Sequence, residues 1–438
     1  MTEAGPLTAV GPETSLTVKS AVDLVVIGLG YVGLPLASGA VDAGMSVMGL
    51  DVSERVVRGL NSGRSHVDDL SHDRIVEMLG GGFRATTESQ VIRSANAIVI
   101  CVPTPLGDDG GPNLTAVREA AWMVAKNLAP GALVVLESTT YPGTTDEVVR
   151  PILETSGMSA GRDFSLAFSP ERIDPGNSRF GLANTPKVVG GYTQGCAARA
   201  AEFYQRLVER VVLAKGTREA EMAKLLENTY RHVNIALVNE MSRFCQDLGI
   251  DIWNVIDCAS SKPFGFQPFY PGPGVGGHCI PVDPNYLSYS VRTRLGYPFR
   301  FVELAQEINS GVPRYVMRRI QDLLNSRKKS LSTSSVLLLG VTYKENIADQ
   351  RESPAKPLAR LLAGSGAAVS YHDPYVPVWN YGAGAINCVP DLDAALQACD
   401  LAVLLQAHEQ YVSSDGVRGA ALVFDTRRVT NGRNVSHL

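Results

Sequence analysis

The sequence predicts an α/β protein: two Rossmann-like, doubly wound domains joined by a central helical domain with a long helix. Three observations lead there. Between residues 23 and 137, apolar runs of strand length alternate with helical segments. The same alternation returns after residue 335. Between them, residues 217–250 repeat apolar positions at helical spacing with no Gly or Pro before Gly249. All-apolar strands separated by helices are the pattern of a parallel sheet covered on both faces, and 438 residues exceed what one hydrophobic core supports.

In chain order, residues 1–20 have no basic start followed by an apolar core, so they read as a disordered leader rather than a secretion signal. Strands are expected at Asp23 to Gly28, Met45 to Asp51, Ala97 to Val102 and Ala132 to Glu137, with helices around 53–61, 71–79 and 115–128. Together they make a first domain over 21–215. The long helix carries Met222, Leu225, Leu226, Thr229, Val233, Leu237, Met241 and Phe244 as an apolar stripe. Its length exceeds the globular norm, and a second helix is expected from about 300 to 327. This central domain, 216–328, reads as a spine and a dimerisation surface. Strands resume at Ser335 to Gly340, Ala368 to His372, Leu401 to Leu405 and Ala421 to Asp425, giving a last domain over 329–438. Asn96 to Ile100 and Asp400 to Leu404 echo each other as helix-to-strand entries.

Composition removes several function classes. The net charge is −4, with no basic patch to hold nucleic acid or a membrane surface. No apolar run reaches the length of a membrane span. Seven cysteines without a C-x-x-C pair or framework spacing fit a reduced cytoplasm, and no metal-ligand spacing is present.

Gly28-Leu29-Gly30-Tyr31-Val32-Gly33 has the G-x-G-x-x-G form, directly after a strand and opening a helix. Its glycines allow a tight turn and bring a pyrophosphate to free helical N–H groups. Asp51 ends the next strand, where a carboxylate accepts from the ribose 2′-hydroxyl and repels a 2′-phosphate; NAD is expected rather than NADP, with Arg55 a surface or adenine-side residue. Pro103 and Thr104 follow one strand and Ser138 and Thr139 another, at the carboxyl ends where such sheets bind ligands. On the long helix Lys224 and Asn228 share a face and Arg231 lies a turn further on, a set suited to an alcohol oxygen gaining negative charge; a solvated surface pair is the alternative. Cys279 sits in Pro271-Gly272-Pro273-Gly274-Val275-Gly276-Gly277-His278-Cys279, too rich in Gly and Pro for helix or strand. Such a loop lets a nucleophile approach a ligand; the alternative is a packed thiol.

The motifs GLGYVG, CVPTP, ESTTYPGTT, SPERIDPGN, EMAKLLENTYR, PGVGGHCIPVDP and GVTYKENIADQRESP, in this order over about 22–430, make the chain resemble the UDP-glucose/GDP-mannose dehydrogenase family. That resemblance implies oxidation of a sugar C6 hydroxymethyl to a carboxylate with two NAD and one water, serving polysaccharide biosynthesis. It implies Cys279 as nucleophile through a thiohemiacetal and a thioester, Lys224 and Asn228 as oxyanion stabilisers, Asp283 and Thr139 to position or activate water, and Glu171 as acid/base. His278 is read as structural. The distal domain would hold UDP through Tyr343 and Lys344, and Arg351 would reach the cofactor across the cleft. Arg172, Arg231, Lys262, Tyr270, Gly274 and Gly276 complete the implied substrate contacts.

Within the family, the UDP-glucose branch carries a second Glu where this chain has Pro175. The DPGN ending, Lys262 to Phe266 and the YPGPGVGGHC loop look like the branch acting on UDP-N-acetylhexosamines. The expected substrate is UDP-N-acetylglucosamine, with the manno and galacto epimers and UDP-glucose as alternatives. Two further readings stay open: a single-step β-hydroxyacid dehydrogenase, and a sugar-nucleotide-binding protein without turnover.

Overall fold

The computed structural model describes residues 22–438 apart from 68–69, 108–109, 173–176, 178, 278–279, 383 and 413–416. The expected leader, Pro175, His278 and Cys279 lie outside the described residues. Apolar runs become buried strands where the pattern places them. β1 (Val22–Ile27), β2 (Val47–Leu50), β3 (Arg84–Thr86), β4 (Ala95–Ile100), β5 (Leu133–Leu136), β6 (Ser165–Phe168), β7 (Lys187–Gly191) and β8 (Val211–Leu213) form one sheet in the order β3-β2-β1-β4-β5-β6-β7-β8. The first six follow the 3-2-1-4-5-6 order of dinucleotide-binding sheets. Leu24 and Val26 face one apolar cluster while Val25 and Ile27 face another, so both faces of the sheet are covered.

The sheet is not parallel throughout. β6 and β7 pair antiparallel, Ala167 with Gly191 and Phe168 with Gly190. Between them lies no helix among the described residues, and without a crossover the chain returns in the opposite sense.

The last domain repeats the plan on a smaller scale. β9 (Ser335–Leu339), β10 (Ala368–His372), β13 (Leu401–Leu404), β14 (Val423–Asp425) and β15 (Val435–His437) form a parallel sheet ordered β10-β9-β13-β14-β15. A small antiparallel pair, β11 (Val378–Asn380) and β12 (Ala385–Asn387), sits apart from it. Leu338 and Leu339 again face opposite clusters.

The spine is one helix, Thr217–Asp247, packed along the helix Arg300–Ser326. Its polarity departs from the expected stripe. Leu225 and Thr229 turn inward, whereas Met222, Leu226, Leu237 and Phe244 are exposed on the single chain, Leu226 at 64%. Beside buried Ala220, Leu225, Ala236, Val238 and Cys245, the buried face carries a polar stripe: Glu221, Lys224, Asn228, His232, Asn239 and Ser242 recur at three-, four- and seven-residue steps. Lys224 and Asn228 are therefore not a solvated pair. Among the described residues, no helix is long and apolar enough to cross a membrane, and the described cysteines are free thiols.

Candidate active site

The glycine turn is built for close approach. Gly28 has φ +90°, and a Cβ on it would lie 2.6 Å from the Cys101 carbonyl oxygen; one on Gly33 would lie 1.9 Å from the Gly28 oxygen. Gly30 faces open space. The helix Gly33–Asp42 begins at Val32 without a side-chain cap; in its first turn Leu34 N is already bonded to Gly30 O and Pro35 has no N–H, so Gly33 N is the helical donor nearest to hand for a phosphate. Asp51 accepts from the backbone N–H of Leu29 and of Ser53, both at 2.9 Å. That ties the carboxylate to the turn and leaves each oxygen a further lone pair for a ribose hydroxyl. These residues fit NAD. Arg55 is exposed.

The two strand-end loops beside this turn are laced together. The Ser138 hydroxyl donates to Val102 O at 2.7 Å, and Thr104 Oγ1 donates to Thr139 O at 2.8 Å; Pro103 stays exposed between them. Tyr31 carries the Arg351 guanidinium over its ring at 4.7 Å, and Arg351 grips Asp349 with two nitrogens. The distal domain therefore reaches the glycine turn.

Across the carboxyl ends of the strands lies a buried charged cluster. Lys224 Nζ donates to Glu171 O at 2.6 Å and lies 3.7 Å from Glu171 Oε2. Asn228 Nδ2 donates to Asp283 Oδ2 at 2.6 Å, and Asp283 opens the helix Asp283–Leu295. Burial pushes the Asp283 carboxyl up to about 7; Lys224 and the Asn228 bond pull it down, and Glu171 pushes it further up. A carboxyl so placed exchanges a proton near neutral pH, as a general base requires. Lys224, Asn228, Asp283 and Glu171 are thus brought together from three separate stretches of chain.

Other expected residues are placed differently. Arg172 is engaged with Glu227 at 2.6 Å and with Pro186 O at 2.8 Å, which ties its loop to the spine. Arg231 and Lys262 are exposed, Lys262 over the ring of Phe264. Tyr270 is half exposed and stacks on Trp253. The glycines of the thiol loop meet the distal domain. A Cβ on Gly274 would lie 2.9 Å from Pro354, one on Gly276 or Gly277 2.7 or 2.8 Å from Tyr343, and Gly277 N donates to Arg351 O at 3.0 Å.

Sequence reasoning passed over several buried groups around this site. Glu221, one turn before Lys224, accepts from Gly143 N (2.5 Å), Thr145 N (2.9 Å) and Thr145 Oγ1 (2.7 Å), and burial pushes it up to about 7. Asn239 Oδ1 accepts from Gly272 N at 3.1 Å while its amide donates to Asn309, which in turn donates to His232 O. Beneath Ser138, Glu137 is buried with Lys187 at 3.0 Å and Tyr204 donating to it. Arg427 lies half-buried against Gly272 and donates to Leu405 O at 2.8 Å; desolvation pushes it down to about 10. The spacing of Glu221, Asn228, His232 and Asn239 was a readable signal, a polar helical stripe beside the apolar one.

Three family models match in succession: the NAD binding domain of the UDP-glucose/GDP-mannose dehydrogenase family over residues 22–208, its central domain over 218–311 and its UDP binding domain over 337–435. The chain belongs to the UDP-glucose/GDP-mannose dehydrogenase family. Like that family it is an oxidoreductase, an NAD-dependent UDP-sugar dehydrogenase. It is 36% identical over 406 residues to the UDP-N-acetyl-D-mannosamine dehydrogenase of Salmonella typhi, covering 89% of this chain and 94% of that one. Among solved structures it is similar to a UDP-D-ManNAc dehydrogenase from Pyrococcus horikoshii (TM-score 0.85, 30% identity, 95% and 98% of the two chains). It is also similar to a UDP-glucose dehydrogenase from Pyrobaculum islandicum (TM-score 0.83, 28% identity, 98% of each chain).

Proposed function

We propose that the protein oxidises the C6 hydroxymethyl of a UDP-N-acetylhexosamine to the uronate in two hydride transfers. The observation that carries this reading is the buried Lys224–Glu171 and Asn228–Asp283 cluster facing the strand ends beside the glycine turn. Bound NAD, held by the 28–33 turn and Asp51, supplies the hydride acceptor at each oxidation. The chain's own residues do the rest. Lys224 and Asn228 hold the negative charge that develops on the C6 oxygen, worth about 3–4 kcal/mol per donor in a dry site. Asp283, with a carboxyl near 7, takes the alcohol proton. Cys279 adds as thiolate to the aldehyde carbon, forming the C–S bond that makes a second hydride available; Asp283, Glu171 and Thr139 direct the water that later breaks that bond. The sum balances: alcohol, two NAD and water give carboxylate, two NADH and three protons.

The acetamido sugar follows from the sequence motifs and from the similar UDP-N-acetyl-D-mannosamine dehydrogenases. The similarity to UDP-N-acetyl-D-mannosamine dehydrogenases supports the manno epimer, whereas the loop motifs favoured UDP-N-acetylglucosamine. A site with groups meant for an acetamide leaves them unpaired with UDP-glucose, the kind of mismatch that yields large discrimination. NADH counted against each of the three acetamido sugars and UDP-glucose decides it. Two NADH per acetamido sugar is the expected result, falling to none or one in Cys279→Ala; a preference for UDP-glucose rejects the substrate class, and one NADH per turnover rejects the thiol chemistry. We further infer a homodimer, acting in the cytoplasm, through the exposed apolar face of the spine.

A further inference from the structure

The second sheet carries a buried histidine–aspartate pair with no part in the chemistry above. Asp373 follows β10 and His408 follows β13, at carboxyl ends on either side of β9, and neither side chain has any exposure. His408 Nε2 lies 3.2 Å from Asp373 Oδ2 and 3.3 Å from Thr342 Oγ1, while Asn346 N donates to His408 Nδ1 at 2.8 Å. A backbone N–H only donates, so Nδ1 carries no proton and Nε2 carries it. The Thr342 hydroxyl then accepts from the ring and donates to Lys344 O at 2.7 Å.

One imidazole thus grips a turn on both sides of Lys344. The grip suits the turn, because Asn346 has φ +58°, a left-handed conformation that most residues avoid and that glycine and, at some cost, Asn adopt. A second tether runs from Glu409 N to Asn346 Oδ1 at 3.0 Å. Asp373 is itself fixed by Val341 N at 2.7 Å and Tyr375 N at 2.9 Å, and the Tyr375 ring packs on His408 with centroids 5.2 Å apart. Tyr343, in the same turn, is the wall against Gly276 and Gly277. Movement of the turn therefore displaces Lys344 and the support of the thiol loop together.

We propose that His408 is a positioning residue: oriented by Asp373, it holds the 342–346 turn in the strained form in which Tyr343 and Lys344 meet the nucleoside diphosphate of the substrate. The proposal rests on the reading of Tyr343 and Lys344 as nucleotide contacts. It is tested by measuring Kd for UDP and for NAD on the full-length protein. His408→Gln keeps a donor for Asp373 but takes its oxygen away from Asn346 N; His408→Asn keeps an acceptor at the Nδ1 position. UDP binding is expected to weaken roughly tenfold in His408→Gln, the loss of about one hydrogen bond, to be largely restored in His408→Asn, and NAD binding to stay unchanged. Should His408→Gln not fold, the exposed Asn346 serves instead: Asn346→Ala, which loses the Glu409 tether and the ease of positive φ, weakens UDP binding more than Asn346→Gly, which loses the tether alone, and equal UDP affinity in both variants and the parent overturns the proposal. Unchanged UDP affinity in His408→Gln, or equal losses for UDP and NAD, overturns the role of His408 while Tyr343→Ala and Lys344→Ala still weaken UDP. If those two variants bind UDP like the parent, the nucleotide reading itself falls and the proposal with it.

Discussion

Asp283 and Glu221 are carboxyls withdrawn from water, and burial pushes each up to about 7. For Asp283 the ordinary value is 3.8, so between about pH 4 and 7 the native state keeps a proton that the unfolded chain has released. Native stability therefore falls as pH rises through that window. Asp283→Asn removes the charge and keeps the shape. Relative to the parent it is expected to gain stability on going from pH 5 to pH 8, by at most about 3 kcal/mol, the roughly two pH units of that window below about 7, read from urea midpoints; a difference constant with pH would contradict the buried-charge account. The same variant is expected to lose turnover by a factor of about 10²–10⁴, as removal of a general base does.

At the scale of the element, the spine buries a polar stripe and leaves several large apolar side chains outward. Leu226 and Leu237 stand with Phe301 and Leu304 of the neighbouring helix, all more than half exposed on the single chain. This face is where the proposed dimer would join. Leu226→Glu combined with Leu237→Glu is expected to give a monomer by light scattering; a parent protein already monomeric would exclude the dimer. The inward face has its own test. Glu221 joins the helix to the Gly143–Thr145 segment that follows the Thr139 loop. Glu221→Gln turns an amide donor toward one of two backbone N–H groups and is expected to cost about 1–3 kcal/mol of stability; calorimetry showing no loss would mean the segment is held elsewhere.

At the scale of the molecule, the three parts meet at one place. The distal domain touches the glycine turn through Arg351 on Tyr31 and touches the thiol loop through Tyr343 and the Arg351 carbonyl. Arg351→Ala removes a contact worth about 0.5–2 kcal/mol. The expected result is a rise of a few-fold in KM for NAD with little change in UDP affinity. A rise for UDP alone would place Arg351 on the substrate side instead.

The sequence by itself determined the two sheets, the glycine turn with Asp51 at the next strand end, the long helix and the family. Each is encoded locally, in apolar runs of strand length, residue types at fixed spacing, or ordered motifs. The tertiary structure alone decided the rest: the antiparallel β6–β7 pair, the short strands β3 and β8, the pairing of Lys224 with Glu171 and of Asn228 with Asp283, and the reach of Arg351 to Tyr31. It also decided which stripe of the spine faces inward. Periodicity tells which residues share a face of a helix, but which face is buried depends on what the rest of the chain lays against it. Here the first domain, the Gly272 and Asp283 stretches and the neighbouring helix Arg300–Ser326 bring polar partners, so the polar stripe is covered.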